Sequence, residues 1–211
     1  MTLAVIAHEI GPVSSGGPPH RMSEDGPPMD LGYLMQPTVM ATHTFRNAPA
    51  LDVLLIPGGI GNVALAQAND TSVEDFVRLR FDQVDYLLSV CTGAMSLAKA
   101  GVLDGRRATT NKSAWASVVG SGTNVTWVPS ARWVQDGKIW TSSGVSSGMD
   151  MAYAFLAHLY GSDDQGLFNT MNGIEYAPHT DPHWDPFSVV YKIPGADMNR
   201  SLEDCVKPVG F

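Results

Sequence analysis

A cysteine at the end of an apolar run is the residue of this chain best suited to nucleophilic chemistry. The segment Tyr86–Val90 has the composition of a buried strand, and Cys91, Thr92, Gly93 and then a helix-prone stretch follow it at once. A strand, a tight turn and a helix in this order form an elbow that lifts the residue at the turn out of the sheet. The positive end of the helix dipole favours the thiolate, which is the reactive form of cysteine. The pattern predicts a nucleophile at Cys91, and a buried structural cysteine is the alternative interpretation.

Turns of small residues follow two other predicted strands. Gly58 and Gly59 end a continuous apolar run, and Ser143 lies in a second turn, which is rich in serine and glycine. Ligand sites in parallel sheets lie at the carboxyl ends of the strands, so we expect these turns to meet the turn at Cys91. There the backbone N–H groups of Gly59 and Thr92 could stabilise negative charge that develops on a substrate. A plain strand-end turn is the alternative for the two glycines.

A thiolate needs a proton-transfer partner, and the sequence offers none beside Cys91. None of the six histidines adjoins it. Asp150 and Glu175 are possible acids, but their positions give no independent support. His179 and His183 lie in a cluster of His, Asp and Glu that could hold a metal ion, although its prolines and irregular spacing favour a packed loop. We therefore expect neither a metal nor a cofactor.

The elements that must position these residues alternate between strands and helices. Patterns typical of strands occupy residues 2–7, 38–44, 51–56, 86–90, 107–110 and 125–128, with a hairpin over residues 132–141. Patterns typical of helices occupy residues 72–81, 94–100, 113–119 and 151–160, and residues 11–30 predict a loop. Residues 51–56 are apolar apart from Asp52, as in a strand buried on both faces. The alternation predicts an α/β fold with a mostly parallel sheet and helices on both faces.

The composition excludes several classes of protein. The 211 residues carry a net charge of −8 and contain no basic run, which argues against nucleic acid as a partner. No segment approaches the about 20 continuous apolar residues that a membrane span needs. The chain starts without a basic leader, so we expect a cytoplasmic protein that does not bind membranes, in which Cys91 and Cys205 are both thiols.

Four segments together resemble the ThiJ/PfpI superfamily, whose members have a glutamine-amidotransferase-like, flavodoxin-like fold. The segments are residues 51–59, 90–94, 101–110 and 141–150. The resemblance covers residues 1–190 as one domain and leaves residues 191–211 as a C-terminal tail. It implies a three-layer sandwich, a homodimer and a nucleophile at Cys91.

The run Cys91-Thr92-Gly93-Ala94 is similar to the isocyanide (isonitrile) hydratase branch of that superfamily, and the proline-rich residues 181–187 resemble its fungal members. By analogy, a role in fungal secondary metabolism follows.

This branch implies a chemistry for a small-molecule substrate. The thiolate would attack the terminal carbon of an isocyanide and form a thioimidate, from which water would release an N-substituted formamide. Thr92 would bind substrate or water and supply a backbone amide. Gly58, Gly59, Ser143 and Asn111 are the expected oxyanion-binding and substrate-binding positions.

The start of the chain departs from the family pattern. Family members open with a strand and a helix that precede the counterpart of residues 2–7, and the loop after that first strand carries an Asp or Glu that contacts the thiol. We find no counterpart here, and Glu9 and Asp25 are the possible substitutes. We therefore expect the sheet to lack an inner strand, which would leave buried backbone groups unpaired. Either the sheet is rearranged, or a partner chain completes it, or the true protein is longer.

Other functions remain open at this level. A protease is disfavoured because Thr92 follows the nucleophile and because Asn111 and Lys112 stand where some relatives carry a histidine. A glyoxalase-like or deglycase-like activity is the enzymatic alternative. A redox-sensing or accessory protein without turnover is the non-enzymatic one, since the acidic partner is missing.

Overall fold

The computed structural model describes residues 2–14, 37–200 and 202. The strands in this part of the chain are β1 (Ile6–Ala7), β2 (Gly11–Ser14), β3 (Thr38–Ala41), β4 (His43–Thr44), β5 (Val53–Ile56), β6 (Tyr86–Val90), β7 (Arg107–Ala108), β8 (Thr126–Trp127), β9 (Trp133–Asp136) and β10 (Ile139–Ser142). The helices are α1 (Gly61–Gln67), α2 (Ser72–Arg80), α3 (Gly93–Lys99), α4 (Trp115–Val119), α5 (Val145–Tyr160), α6 (Gln165–Gly173) and α7 (Phe187–Val190), and a 3₁₀ turn spans Phe81–Gln83.

The central sheet has four strands in the order β5-β6-β10-β9. β5, β6 and β10 are parallel, and β9 joins the edge antiparallel to β10. The β9–β10 pair is the predicted hairpin, and Gly137 at its tip has a φ of +60°, which glycine adopts at little cost. Helices cover the two faces, so the predicted α/β class is confirmed.

In the part of the chain that the structure describes, three two-stranded sheets accompany the central one: β1-β4 and β7-β8 are parallel pairs, and β2-β3 is antiparallel. The loop prediction for residues 11–30 was wrong at its start, because Gly11–Ser14 forms β2; residues 15–30 lie outside the described part of the chain. Within the described residues, β1 pairs only with β4, and β5 only with β6.

One face of the sheet packs against α2 and α3 in the main hydrophobic core. Leu54 of β5 and Leu87 of β6 are register partners, and both are buried there with Val77 of α2 and Leu97 of α3. The core holds the strands beneath α3 and so fixes the base of the turn at Cys91.

The other face packs against α5 and is only partly covered. Leu88 of β6 contacts Met151 and Phe155 of α5 in a second cluster. Its register partner in β5, Leu55, is 48% exposed, and Val53 is 37% exposed. The expectation of a strand buried on both faces was therefore wrong for β5. The reason is that α5 packs mainly against β6, β9 and β10 rather than against β5.

Beyond α5 the chain returns to the body of the domain. Ile193 is buried, and the backbone N–H of Asp197 donates to the Ser130 hydroxyl. None of the helices in the described ranges combines the length and the apolar character that crossing a bilayer requires.

Candidate active site

Cys91 occupies the turn between β6 and α3 with a φ of +60°. This left-handed conformation is uncommon for a residue with a side chain, and it persists only where the surroundings enforce it. Two glycines permit the close approach of the neighbouring loop. A Cβ on Gly58 would lie 2.7 Å from the Cys91 Cβ, and a Cβ on Gly93 would lie 2.4 Å from the carbonyl oxygen of Ile56.

Both backbone polar groups of Cys91 are held by other loops. Its N–H is directed at the carbonyl oxygens of Ser143 at 2.7 Å and Ser142 at 3.2 Å. Its carbonyl oxygen accepts a hydrogen bond from the Thr110 hydroxyl at 2.9 Å. The turns after β5, β6 and β10 thus meet at the carboxyl edge of the sheet, with the partly exposed thiol between them.

The Thr92 hydroxyl belongs to a network on the β5 side of the turn. It accepts from the Gly59 N–H at 2.8 Å and lies 3.1 Å from Asn62 Oδ1. Asn62, on α1, donates in turn to the Ser96 hydroxyl of α3. In this conformation the Thr92 hydroxyl already accepts the hydrogen bond of the Gly59 N–H, and a role of that N–H toward a substrate stays a prediction. The N–H of Thr92 itself donates no hydrogen bond within the described residues.

Ser143 and Asn111 lie on the opposite side. Ser143 is buried and donates its N–H to the Arg132 carbonyl, so its contribution to the turn is through the backbone. Asn111 Oδ1 accepts from the Ala114 N–H at 3.0 Å, and its Nδ2 would lie 3.4 Å from a Cβ on Gly144. Asn111 therefore flanks the turn that follows β10.

The candidate acids that the structure describes form no hydrogen bond with the thiol. In the described part of the chain the hydrogen bonds of Cys91 involve its backbone, and its sulfur is in no disulfide. Glu9 and Glu175 are exposed, and Asp25 and Cys205 lie outside the described residues. The Asp150 carboxylate is committed elsewhere, because it accepts from Arg132 Nε at 2.6 Å.

The remaining Asp150 contacts tie down the segment after α6. Asp150 accepts from the Tyr176 hydroxyl and from the backbone N–H of His179. Burial, together with the hydrogen bond to Asp150, raises the pKa of Tyr176 well above its usual range. The stretch that contains His179 and His183 is thus anchored to α5.

The histidines that the structure describes contact neighbouring side chains and backbone rather than the thiol. His158 lies 3.1 Å from the Tyr86 hydroxyl, with its ring packed beside Trp140. The backbone N–H of His183 donates to Asp181. Among the residues described, no three His, Cys, Asp or Glu side chains come close enough together to bind a metal ion.

A group of buried charges on the β10 side is the feature that sequence reasoning missed. The group comprises Lys112, Arg132, Asp150 and Asp185, and their side chains are at most 7% exposed. Burial lowers the pKa of Lys112 to about 8, against an opposing effect of Asp185. A lysine directly after the polar run Thr109-Thr110-Asn111 at a strand end was the available signal.

The sequence is similar to those of known proteins. The model of the DJ-1/PfpI family matches residues 32–158. An isonitrile hydratase from Pseudomonas putida is 37% identical over 147 residues, which are 70% of this chain and 60% of that protein. A deglycase from Pyrococcus horikoshii is 29% identical over 153 residues, 68% of this chain and 89% of that protein. The chain thus spans less than two thirds of the length of the isonitrile hydratase.

Solved structures give the same grouping. A ThiJ/PfpI family protein from Pseudomonas syringae has a TM-score of 0.62 and 29% identity, covering 84% of this chain and 64% of its own. A cysteine-to-alanine mutant of a DJ-1 superfamily protein from Salmonella typhimurium has a TM-score of 0.55 and 25% identity, covering 67% of this chain and 75% of its own. The flavodoxin-like architecture that the resemblance implied is confirmed.

Proposed function

The chain belongs to the DJ-1/PfpI family, and on that premise we propose that it acts as an isocyanide-hydratase-like enzyme. The observation that carries the proposal is the partly exposed Cys91, held at positive φ where three strand-end turns meet. The 37% identity to an isonitrile hydratase supports this choice among thiol chemistries. The substrate class is a small alkyl or aryl isocyanide.

The reaction proceeds in two steps. The Cys91 thiolate forms a carbon–sulfur bond with the terminal carbon of the isocyanide, and that carbon takes up a proton, which gives a thioimidate. Water then adds to the same carbon and the carbon–sulfur bond breaks. One proton of that water goes to the nitrogen and the other returns to the sulfur, so isocyanide plus water gives an N-substituted formamide and the free thiol is regenerated.

The surrounding residues have distinct parts in this proposal. The Thr92 N–H is the amide placed beside the thiol, and the Thr92 hydroxyl fixes the Gly59 loop. Gly58 leaves the space in which that loop passes Cys91, and Asn111 and Ser143 line the opposite side. Pre-organised donors of this kind usually contribute about 100-fold to 1,000-fold in rate.

The test is turnover of a panel of alkyl and aryl isocyanides, with formamide measured by mass spectrometry. Cys91→Ser should lower the rate at least about a thousandfold, since removal of a nucleophile eliminates the covalent path. Cys205→Ser, which changes the other cysteine of the chain, is the matched control and should keep the wild-type rate. A folded wild-type protein that yields no formamide from any member of the panel would contradict the proposal.

A second candidate has support of its own. The similarity to a deglycase covers 89% of that protein, a larger share than for the isonitrile hydratase. Consumption of methylglyoxal with formation of lactate, without isocyanide turnover, would select this glyoxalase-like or deglycase-like activity. Conversion of Cys91 to sulfinic acid by mild peroxide, with neither turnover, would select a redox-sensing role.

We extend the proposal to a cytoplasmic homodimer that binds no nucleic acid. The net charge of −8 supports the last part. Light scattering on the purified protein measures the oligomeric state, and a monomer at micromolar concentration would contradict the dimer.

A further inference from the structure

Four buried charges form a group between β9, α5 and the segment before α7. Arg132 pairs with Asp150 at 2.5 Å. Asp185 lies 3.9 Å from Lys112 Nζ and 4.0 Å from Arg132 Nη1. Two positive and two negative groups therefore balance in a region that is almost completely buried. Burying charges destabilises a fold unless they are paired and hydrogen-bonded.

The Lys112 ammonium is fully committed to this region. It donates to the Thr109 hydroxyl at 2.7 Å, to the Ala131 carbonyl at 2.8 Å and to the Thr110 carbonyl at 3.3 Å. An ammonium has three donors, so these bonds use all of them. Asp185 Oδ2 is buried without a hydrogen-bond partner in the described residues, and Lys112 stabilises it by charge.

The group is connected to the Cys91 turn at two points. The Thr110 hydroxyl, next to the carbonyl that Lys112 holds, donates to the Cys91 carbonyl at 2.9 Å. The Arg132 carbonyl accepts from the Ser143 N–H at 2.9 Å, and the Ser143 carbonyl accepts from the Cys91 N–H at 2.7 Å. Each backbone group of Cys91 is thus one hydrogen-bonded residue away from a buried charge.

We propose that Lys112, paired with Asp185, is a positioning residue for the reactive thiol of Cys91. Lys112 fixes residues 109–112 against residue 131, and Thr110 then holds the Cys91 carbonyl so that the turn keeps its positive φ. The proposal rests on the proposed function only in that Cys91 is the reactive group, and it applies to any thiol chemistry at this turn.

The experiment measures alkylation of Cys91 by iodoacetamide in a Cys205→Ser background, well below the melting temperature. Lys112→Met should slow alkylation at pH 7 by about tenfold, since a displaced thiol loses its orientation at the turn. A purely structural role would lower the melting temperature and leave the alkylation rate of the folded protein unchanged.

Lys138→Met is the matched control. Lys138 also donates to two backbone carbonyls, those of Phe81 and Val84, and also lies over an aromatic ring, that of Phe81. It precedes β10, at the end of the sheet away from Cys91. We expect wild-type alkylation in this variant.

Asp185→Asn keeps the shape of the site and serves if Lys112→Met does not fold. It removes the charge partner of Lys112 and should slow alkylation in the same direction. Wild-type alkylation in both folded variants, or in Asp185→Asn alone when the other does not fold, would overturn the proposal. Slower alkylation together with no isocyanide turnover by the wild type would support Lys112 as a positioning residue and reject only the hydratase activity.

Discussion

The two sides of the Cys91 turn differ in the residues that form them. The glycine side, made of Gly58, Gly59, Gly93, Thr92 and Asn62, is neutral, and it depends on missing side chains and one hydroxyl. The charged side depends on full-size side chains that carry charge into the interior.

The difference teaches that one strained residue can be held by steric exclusion and by electrostatics at the same time. The glycine side brings the neighbouring loop to the distance of direct contact, and a Cβ added at Gly58 or Gly93 meets backbone. The charged side holds the backbone of the turn through intermediate residues, Thr110 and Ser143. The first should respond to changes in volume and the second to changes in pH.

The largest effect is expected on the glycine side. Gly93→Ala places a Cβ 2.4 Å from the Ile56 carbonyl oxygen, and this backbone atom cannot move aside without shifting β5. The free energy of unfolding should fall by about 3 kcal/mol, the upper part of the range for overpacked sites. Urea denaturation measures it. Gly61→Ala is the control, since a Cβ there meets nothing within 4 Å, and equal losses in both variants would show that the clash is not the cause.

A smaller effect, specific to pH, is expected on the charged side. The pKa of Lys112 is lowered from 10.5 to about 8 by burial, so the folded state loses this proton before the unfolded state does. The stability of the wild type relative to Lys112→Met should rise with pH above 8, by about 2 kcal/mol up to about pH 9.5. Urea titrations of both proteins from about pH 7 to 9.5 measure the difference. If the difference stays flat, the lowered pKa is excluded; the loss in Gly93→Ala should not vary with pH in this way.

The smallest effect concerns the hydroxyl on the glycine side. Thr92→Val removes the acceptor of the Gly59 N–H and the partner of Asn62 while keeping the size of the side chain. Stability should fall by about 1 kcal/mol, the lower end of the range for two lost hydrogen bonds, because the bond from Gly59 is exposed to water. Thr92→Ser keeps the hydroxyl and should stay near the wild type. A serine variant as unstable as the valine variant would show that the methyl group, not the hydroxyl, matters.

The local pattern of the sequence predicts much of the site's frame. The apolar run before Cys91, the small residues after it and the Asp-Gly tip of the hairpin each specify their structure within a few residues. The turns at Gly58 and Ser143 could be placed because parallel strands end at one edge of a sheet.

The failures have one cause, which is contact between segments far apart in the chain. Lys112 and Asp185 are distant in sequence, and the residues around either one do not predict that the two side chains pair. The exposure of Leu55 depends on which strands α5 covers, and a run of apolar residues does not predict which strands those are. The hydrogen bond from the Gly59 N–H to the Thr92 hydroxyl could not be foreseen for the same reason, because the two residues lie on different loops.

The positive φ of Cys91 means that the side chain needed for activity lowers the stability of the fold at this position. A side chain in this conformation costs about 1 kcal/mol or more, a cost from which glycine is largely exempt. A chain optimised only for a robust fold would therefore place glycine at position 91 and keep the hydrogen bonds described above, which involve the backbone of that residue. The same turn with glycine would be a more durable protein without a nucleophile, so the thermostability of variants at this position and their chemistry should move in opposite directions.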